Sequence, residues 1–202
     1  MICESCKLKL SILIMATAAF FVCLWSAHAV AGETEPASDR LLHEVGFFVG
    51  YGKGNINEGS YEPILLVIRL GYDMRRIFPI LSRHNGTLSL YIEPKINPVI
   101  SPENDIEFGI GVGVKYMYHC TERLAAYIFG SVGPHYVTVV TRDQANGFIF
   151  SDTIGCGVSW FLNEKSAINL EYRWRHISNA DLKMPNNGID THIGMIGYSM
   201  FF

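Results

Sequence analysis

The chain has 202 residues, 49% of them hydrophobic and 17% charged, with 16 basic against 19 acidic side chains and a formal net charge of −3. The mild acidity excludes nucleic acid as a natural partner. The length suits one domain with a sizeable buried or lipid-covered surface.

Lys7 and Lys9 precede an apolar run from Leu10 to Trp25, and small residues follow in two overlapping patterns, Ala27-His28-Ala29 and Ala29-Val30-Ala31. A basic start, an apolar middle and small residues before the cut predict a secretory signal peptide over residues 1–31, cleaved after Ala29 or Ala31. A retained signal anchor is the alternative. No cysteine follows the run to carry a lipoprotein anchor. Cleavage removes Lys7, Lys9 and Glu4, so the exported chain over 32–202 carries a formal charge of about −4. Cys3, Cys6 and Cys23 leave with it, and Cys120 and Cys156 alone offer neither a disulfide framework nor metal-ligand spacing.

No later stretch holds the roughly 18 unbroken apolar residues of a spanning helix. Alternation recurs instead. Ile106, Phe108, Ile110, Val112, Val114, Tyr116 and Tyr118 are apolar at even positions, against Glu107, Gly109, Gly111, Gly113 and Lys115 at odd ones. Successive side chains of a strand point to opposite faces, so the segment has one apolar and one polar wall. Eight such segments are predicted, over 43–53, 61–74, 86–98, 104–118, 123–140, 147–161, 166–178 and 188–202. Several exceed the 9 to 11 or so residues that cross a bilayer at a tilt. An even number of antiparallel strands closes with both chain ends on one side. With that side periplasmic, the connections near 75–85, 119–122 and 162–165 are periplasmic, and those near 54–60, 99–103, 141–146 and 179–187 face outward.

Alternation alone does not separate a soluble barrel, apolar inside, from a membrane barrel, apolar outside. Three signals favour lipid outside: the signal peptide, the aromatic residues near strand ends (Tyr51, Tyr72, Tyr116, Tyr118, Tyr136, Trp160, Trp174), and a last strand apolar at Tyr198, Met200 and Phe202 that stops on an aromatic. The expected fold is all-β, an eight-stranded antiparallel transmembrane barrel. Its polar wall, with Arg69, Asp73, Glu93, Lys95, Glu107, Lys115, Asn169, Glu171, Arg173 and Arg175, then faces the lumen.

Some polar residues fall on the lipid parity. Ile168, Leu170, Tyr172 and Trp174 are followed by His176 and Ser178, and counting back in twos from Phe202 reaches His192 and Asp190. The last two strands are antiparallel neighbours, which places Asp190 across from His176 or Ser178 at about 5 to 8 Å between Cβ atoms. Ser, His and an acid on one exposed patch make the set for nucleophilic ester cleavage: His176 takes the Ser178 proton, and Asp190 holds the ring and stabilises the imidazolium. The plainer reading is a strand end that has risen into the headgroup region, where such residues cost little. Asp152 also breaks the apolar parity, and a bulge turning it inward is one account.

The run His176-Ile177-Ser178-Asn179-Ala180, followed by Lys183, Pro185-Asn186 and Gly188-Ile189, resembles the carboxy-terminal motif of the outer-membrane lipid A 3-O-deacylases, the PagL-type acyloxyacyl hydrolases. The resemblance implies His176 as base and Ser178 as nucleophile. The family acid is usually Glu, where this chain has Asp190, one methylene shorter; either the hairpin register compensates or the triad is looser. It also implies Asn179 and Asn186 as oxyanion donors, although asparagine in a loop is more often a turn residue. The implied substrate is the lipid A of lipopolysaccharide in the outer leaflet, with Trp174, Tyr172, Ile196 and Tyr198 available to its acyl chains and Lys183 to a phosphate. Neither cofactor nor metal is implied, and a homodimer is left open.

His192 reads as an interfacial histidine rather than a second base, and His43, His84, His119 and His135 lack ligand spacing. A rival reading is a non-catalytic structural or adhesion barrel, but the outward connections are short. A calcium-dependent phospholipase is disfavoured by the lack of a carboxylate-rich outer loop.

Overall fold

The computed structural model describes residues 42–76, 78 and 86–202. The expected signal peptide and most of the connection at 75–85 lie outside the described residues. The strands are β1 (Leu42–Ile56), β2 (Gly59–Tyr61), β3 (Ile64–Asp73), β4 (Gly86–Val99), β5 (Asp105–His119), β6 (Leu124–Val137), β7 (Gly147–Asn163), β8 (Ser166–Ser178) and β9 (Ile189–Phe201). The eight long strands run antiparallel to their neighbours, and β9 pairs back onto β1 from Glu44↔Phe201 to Lys53↔His192, which closes the barrel.

The second and fifth segments differ from expectation in ways that bear on the site. The second segment is broken at Glu62-Pro63 because proline has no N–H for the ladder; β2 instead extends the end of β1, with Gly54 opposite Tyr61. The fifth ends at Val137, and residues 138–146 form a loop.

Burial decides which wall faces lipid. Arg69, Glu93, Lys95, Glu107, Lys115, Asn169, Glu171, Arg173 and Arg175 are all buried, while Ile128, Val132, Ile154 and Leu170 are at least 60% exposed. A soluble barrel would have these sets exchanged. Inside, Arg69 donates to Glu93 at 2.7 Å and to Glu171 at 2.7 Å. Arg173 bridges the same two carboxylates at 2.9 and 2.6 Å. Lys115 pairs with Glu44, and Arg175 donates to Glu107 at 2.6 Å, which also accepts from Tyr61 at 2.9 Å. Arg69, Arg173, Arg175, Lys115, Glu44, Glu93, Glu107 and Glu171 each have an opposite partner, which is what makes a charged lumen tolerable. Among the described residues no helix is long and apolar enough to cross a membrane.

At the end carrying the 138–146 and 179–188 loops, an apolar plug fills the lumen: Tyr61, Val99, Val137, Val139, Ile149, Ile177 and Ile189. Ile177 and Ile189 face each other in the β8–β9 ladder and are essentially inaccessible. Because the side chains alternate, seating these two isoleucines inside fixes their outward neighbours, His176, Ser178 and Asp190.

Candidate active site

The ladder pairs His176 directly with Asp190. Their side chains meet outside the barrel, His176 Nδ1 lying 2.8 Å from Asp190 Oδ1. A carboxylate oxygen accepts hydrogen bonds, so Nδ1 is the donor of this contact and Nε2 is left outside it. Trp174 stacks on the same ring, with centroids 6.3 Å apart and planes 24° from parallel. The acid one methylene shorter than glutamate therefore reaches its histidine, and it does so because the register sets the two residues opposite each other.

Ser178 lies two residues beyond His176 on the same face, about 6.8 Å along the strand. Its cross-strand partner is Phe150 of β7. Its hydroxyl makes no hydrogen bond among the described residues, so His176 and Asp190 are joined while Ser178 stands apart from both. Catalytic hydrogen bonds that are open in the free enzyme commonly tighten on the substrate.

The two asparagines organise the loop above. Asn179 is buried; its backbone N–H donates to Asn186 Oδ1 at 2.7 Å and its side-chain amide to the Lys183 carbonyl at 2.5 Å. Asn186 donates to Asp181 at 2.9 Å. Ala180 and Asp181 take left-handed backbone angles, φ 51° and 62°, in the tight bend between them. Each side-chain amide has two hydrogens, so each asparagine keeps one for another acceptor. Lys183 reaches Asn146 at 2.6 Å.

Features invisible in the linear sequence complete the setting. Gly188 has φ +76°, and a Cβ there would strike the His176 ring, so this glycine supplies both the bend into β9 and the space for the imidazole. Asp143, from the 138–146 loop, accepts from Asn57 N at 2.6 Å, Asn57 Nδ2 at 2.6 Å and Asn187 Nδ2 at 3.3 Å, and its carbonyl accepts from Asn187 N at 2.7 Å. That clamps three loops together over the site. His192, two residues deeper than Asp190, lies 2.6 Å from the Tyr172 hydroxyl and belongs to a separate polar pair.

Asp152 is a correction. No bulge turns it inward: the β7–β8 register runs unshifted past it, it points outward, and its cross-strand partner is His176. His176 is thus flanked by a carboxylate on each side. Asp152 makes no hydrogen bond among the described residues, while Asp190 holds Nδ1.

A family model for lipid A 3-O-deacylase (PagL) matches residues 67–199, from within β3 to within β9. The chain belongs to the PagL family. It is an outer-membrane β-barrel of a lipid A-deacylating family, and its wall of exposed aliphatic residues around a charged lumen is what such a membrane demands. Among solved structures, the outer membrane enzyme PagL superposes with a TM-score of 0.58 at 18% identity, covering 74% of this chain and 97% of that one. Neisserial surface protein A superposes with a TM-score of 0.57 at 13% identity, covering 79% and 96%. At these identities the likeness concerns the fold. No curated protein sequence matches this chain significantly. Among the described residues no group of three or more His, Cys, Asp or Glu side chains is arranged to hold a metal ion.

Proposed function

We propose that this protein is a serine esterase that removes the 3-O-linked acyl chain of lipid A in the outer leaflet, with Ser178 as nucleophile, His176 as base and Asp190 as acid. The observation that carries the proposal is the His176–Asp190 hydrogen bond on the lipid-facing wall, with Ser178 on the same face one step nearer the rim. Lipid A has its ester bonds at that level, where acyl chains meet sugar.

In the reaction, the Ser178 hydroxyl turns toward His176 Nε2, which takes its proton as Oγ attacks the ester carbonyl. The negative charge on the tetrahedral oxygen falls to the spare amide hydrogens of Asn179 and Asn186. Collapse breaks the bond to the sugar oxygen, which leaves as a hydroxyl with the proton from His176. Water then attacks the acyl-serine, giving its proton to the same nitrogen, and the fatty acid departs as Ser178 recovers its hydrogen. Asp190 stabilises the imidazolium in both halves without itself becoming protonated.

Ser178→Ala and His176→Asn should each abolish release of fatty acid from lipopolysaccharide while the heat-dependent shift in gel mobility of a folded barrel persists. Mass spectrometry of lipid A from cells with and without the protein, repeated with EDTA, checks the bond cleaved and the independence from metal. Full activity in both variants would eliminate the mechanism, and unchanged lipid A in cells making the protein would favour the non-catalytic barrel.

A further inference from the structure

Among the described residues the lumen holds one more cation than it has carboxylates to match. Its buried cations are Arg69, Lys95, Lys115, Arg173 and Arg175, and its buried carboxylates are Glu44, Glu93, Glu107 and Glu171. Asp73, at the end of β3, is taken by Arg75. Arg69, Lys115, Arg173 and Arg175 are paired. Lys95 is 5% exposed and makes no ion pair or hydrogen bond among the described residues. We propose that the lumen binds a small monovalent anion of the halide class beside Lys95, against the bare backbone of Gly109 and Gly111, and that this ion completes the charge balance of the barrel.

The neighbouring carboxylates are already used. Glu93, two residues away on β4, accepts from both Arg69 and Arg173. Glu107 stands across the ladder from Asn97, two residues away on the other side. It accepts from Asn97 at 2.9 Å, from Arg175 at 2.6 Å and from Tyr61 at 2.9 Å. An ammonium group buried without a counter-charge is strongly destabilising, the more so inside a wall surrounded by lipid.

The groups around Lys95 are donors without acceptors. Lys95, Gly109 and His135 form one row of the ladder, and the imidazole leans over the glycine, where a Cβ would strike its Nδ1. Gly111 is the next inward residue of β5. A Cβ there would lie 3.3 Å from Lys95 Nζ and 3.4 Å from Ser131 Oγ, so the two groups are no more than about 7 Å apart and border the same bare backbone. Neither ring nitrogen of His135 has a hydrogen-bond partner among the described residues, and the same holds for Ser131 Oγ, Ser151 Oγ, Thr191 Oγ1 and Arg175 Nε and Nη2. Arg175 belongs to this layer because Glu107 ties it to Asn97 on β4, and Thr191 is its ladder partner. Ammonium and guanidinium groups only donate, and hydroxyls and imidazole can. Asn97 Oδ1 is the one obligate acceptor left unpaired in the layer. Water would need acceptors as well as donors and brings no charge, whereas a halide takes donors alone and supplies the missing negative unit.

The ion site is independent of the esterase reading, and its test needs no substrate. The full barrel is refolded and crystallised in sodium bromide, and anomalous diffraction is collected at the bromine edge. The wild-type protein should show a peak in the lumen bordered by Lys95 Nζ and Ser131 Oγ. Lys95→Met, whose lumen is neutral without the ion, should fold and lose that peak while keeping any bromide bound at the surface. In solution, protein refolded in nonionic detergent with either sodium chloride or sodium gluconate, at equal ionic strength, is heated and followed by tryptophan fluorescence. The wild-type midpoint should be roughly 5 °C higher in chloride, the shift expected for a site filled at about 100 times its Kd. Lys95→Met should have the same midpoint in both salts. A wild-type lumen without a bromide peak, a peak that persists in Lys95→Met, or equal wild-type midpoints in the two salts overturns the assignment. Should Lys95→Met fail to fold, the two wild-type measurements still decide.

Discussion

Replacing Asp190 by Asn keeps the size of the side chain and removes its charge, which isolates what the acid contributes. The amide oxygen can still accept from His176 Nδ1, so the tautomer that leaves Nε2 free is preserved. What disappears is the charge on a hydrogen bond of 2.8 Å. A hydrogen bond to a charged group is worth about 1.5–3 kcal/mol. Here the side chains are 32% and 59% exposed, so water competes and the lower part of that range applies. About 1.5–2 kcal/mol of lost imidazolium stabilisation lowers kcat by roughly 10- to 30-fold. Asp190→Ala also frees the ring to adopt the other tautomer and should lose more. The assay is the initial rate of fatty acid release from lipid A in micelles, normalised to the heat-modifiable, folded fraction. Asp152→Asn is the comparison, since it removes the other carboxylate flanking the same histidine, and its effect on kcat should be the smaller of the two. Undiminished turnover in Asp190→Asn and Asp190→Ala, or a deeper loss in Asp152→Asn, would refute the assignment of the acid.

Other substitutions separate the parts of the assembly. Gly188→Ala places a methyl group against the His176 ring at a left-handed backbone position, and should lower turnover while the barrel still folds; wild-type kinetics would mean the ring has another place to sit. Asp143→Ala releases the 57, 143 and 187 contacts, and should reduce kcat more than it changes the unfolding temperature, as measured by paired rate and gel-shift experiments. Arg173→Met breaks a lumen pair buried beside Glu93 and Glu171, with a cost of about 3–5 kcal/mol in stability. It should lower the temperature of the gel-mobility transition and leave the activity of the folded fraction nearly unchanged.

Strand positions were legible because alternation has a strict period of two and each face meets one solvent. The same parity put His176, Ser178 and Asp190 on one side of the wall, and the short connection between β8 and β9 limited their pairing to a few registers. Asp152 could not be read in this way. Its partner is set by the register of β7 on β8, which depends on a turn at the opposite end of the strands, and a lone carboxylate on an apolar face looks like an irregularity until that register is known. The break at Pro63 carried a signal in the sequence, the missing N–H. The Asp143 clamp carried none, since it joins three loops far apart in the chain. Gly188 was visible as a motif residue, but the clearance it gives the imidazole depends on the side-chain geometry of its neighbour.

A catalytic set of the kind proposed, on the lipid-facing wall, has to be held by something other than a surrounding pocket. Here the holding is done from the other side of the sheet. Ile177 sits between His176 and Ser178 and Ile189 precedes Asp190, and both are locked into the apolar plug of the lumen. Slipping β8 by one residue would drive Ile177 outward and send His176 and Ser178 into that plug, so the packing that stabilises the barrel also forbids the wrong placement of the site. The polar groups themselves are least costly near the rim, and the acid and imidazole satisfy one another. In the proposed mechanism the loops then have a narrower task, to present amide hydrogens to the developing oxyanion. Under the proposed mechanism His176 and Asp190 keep their hydrogen bond when the loops are loosened and the oxyanion donors lose their positions, so loop variants should lose kcat.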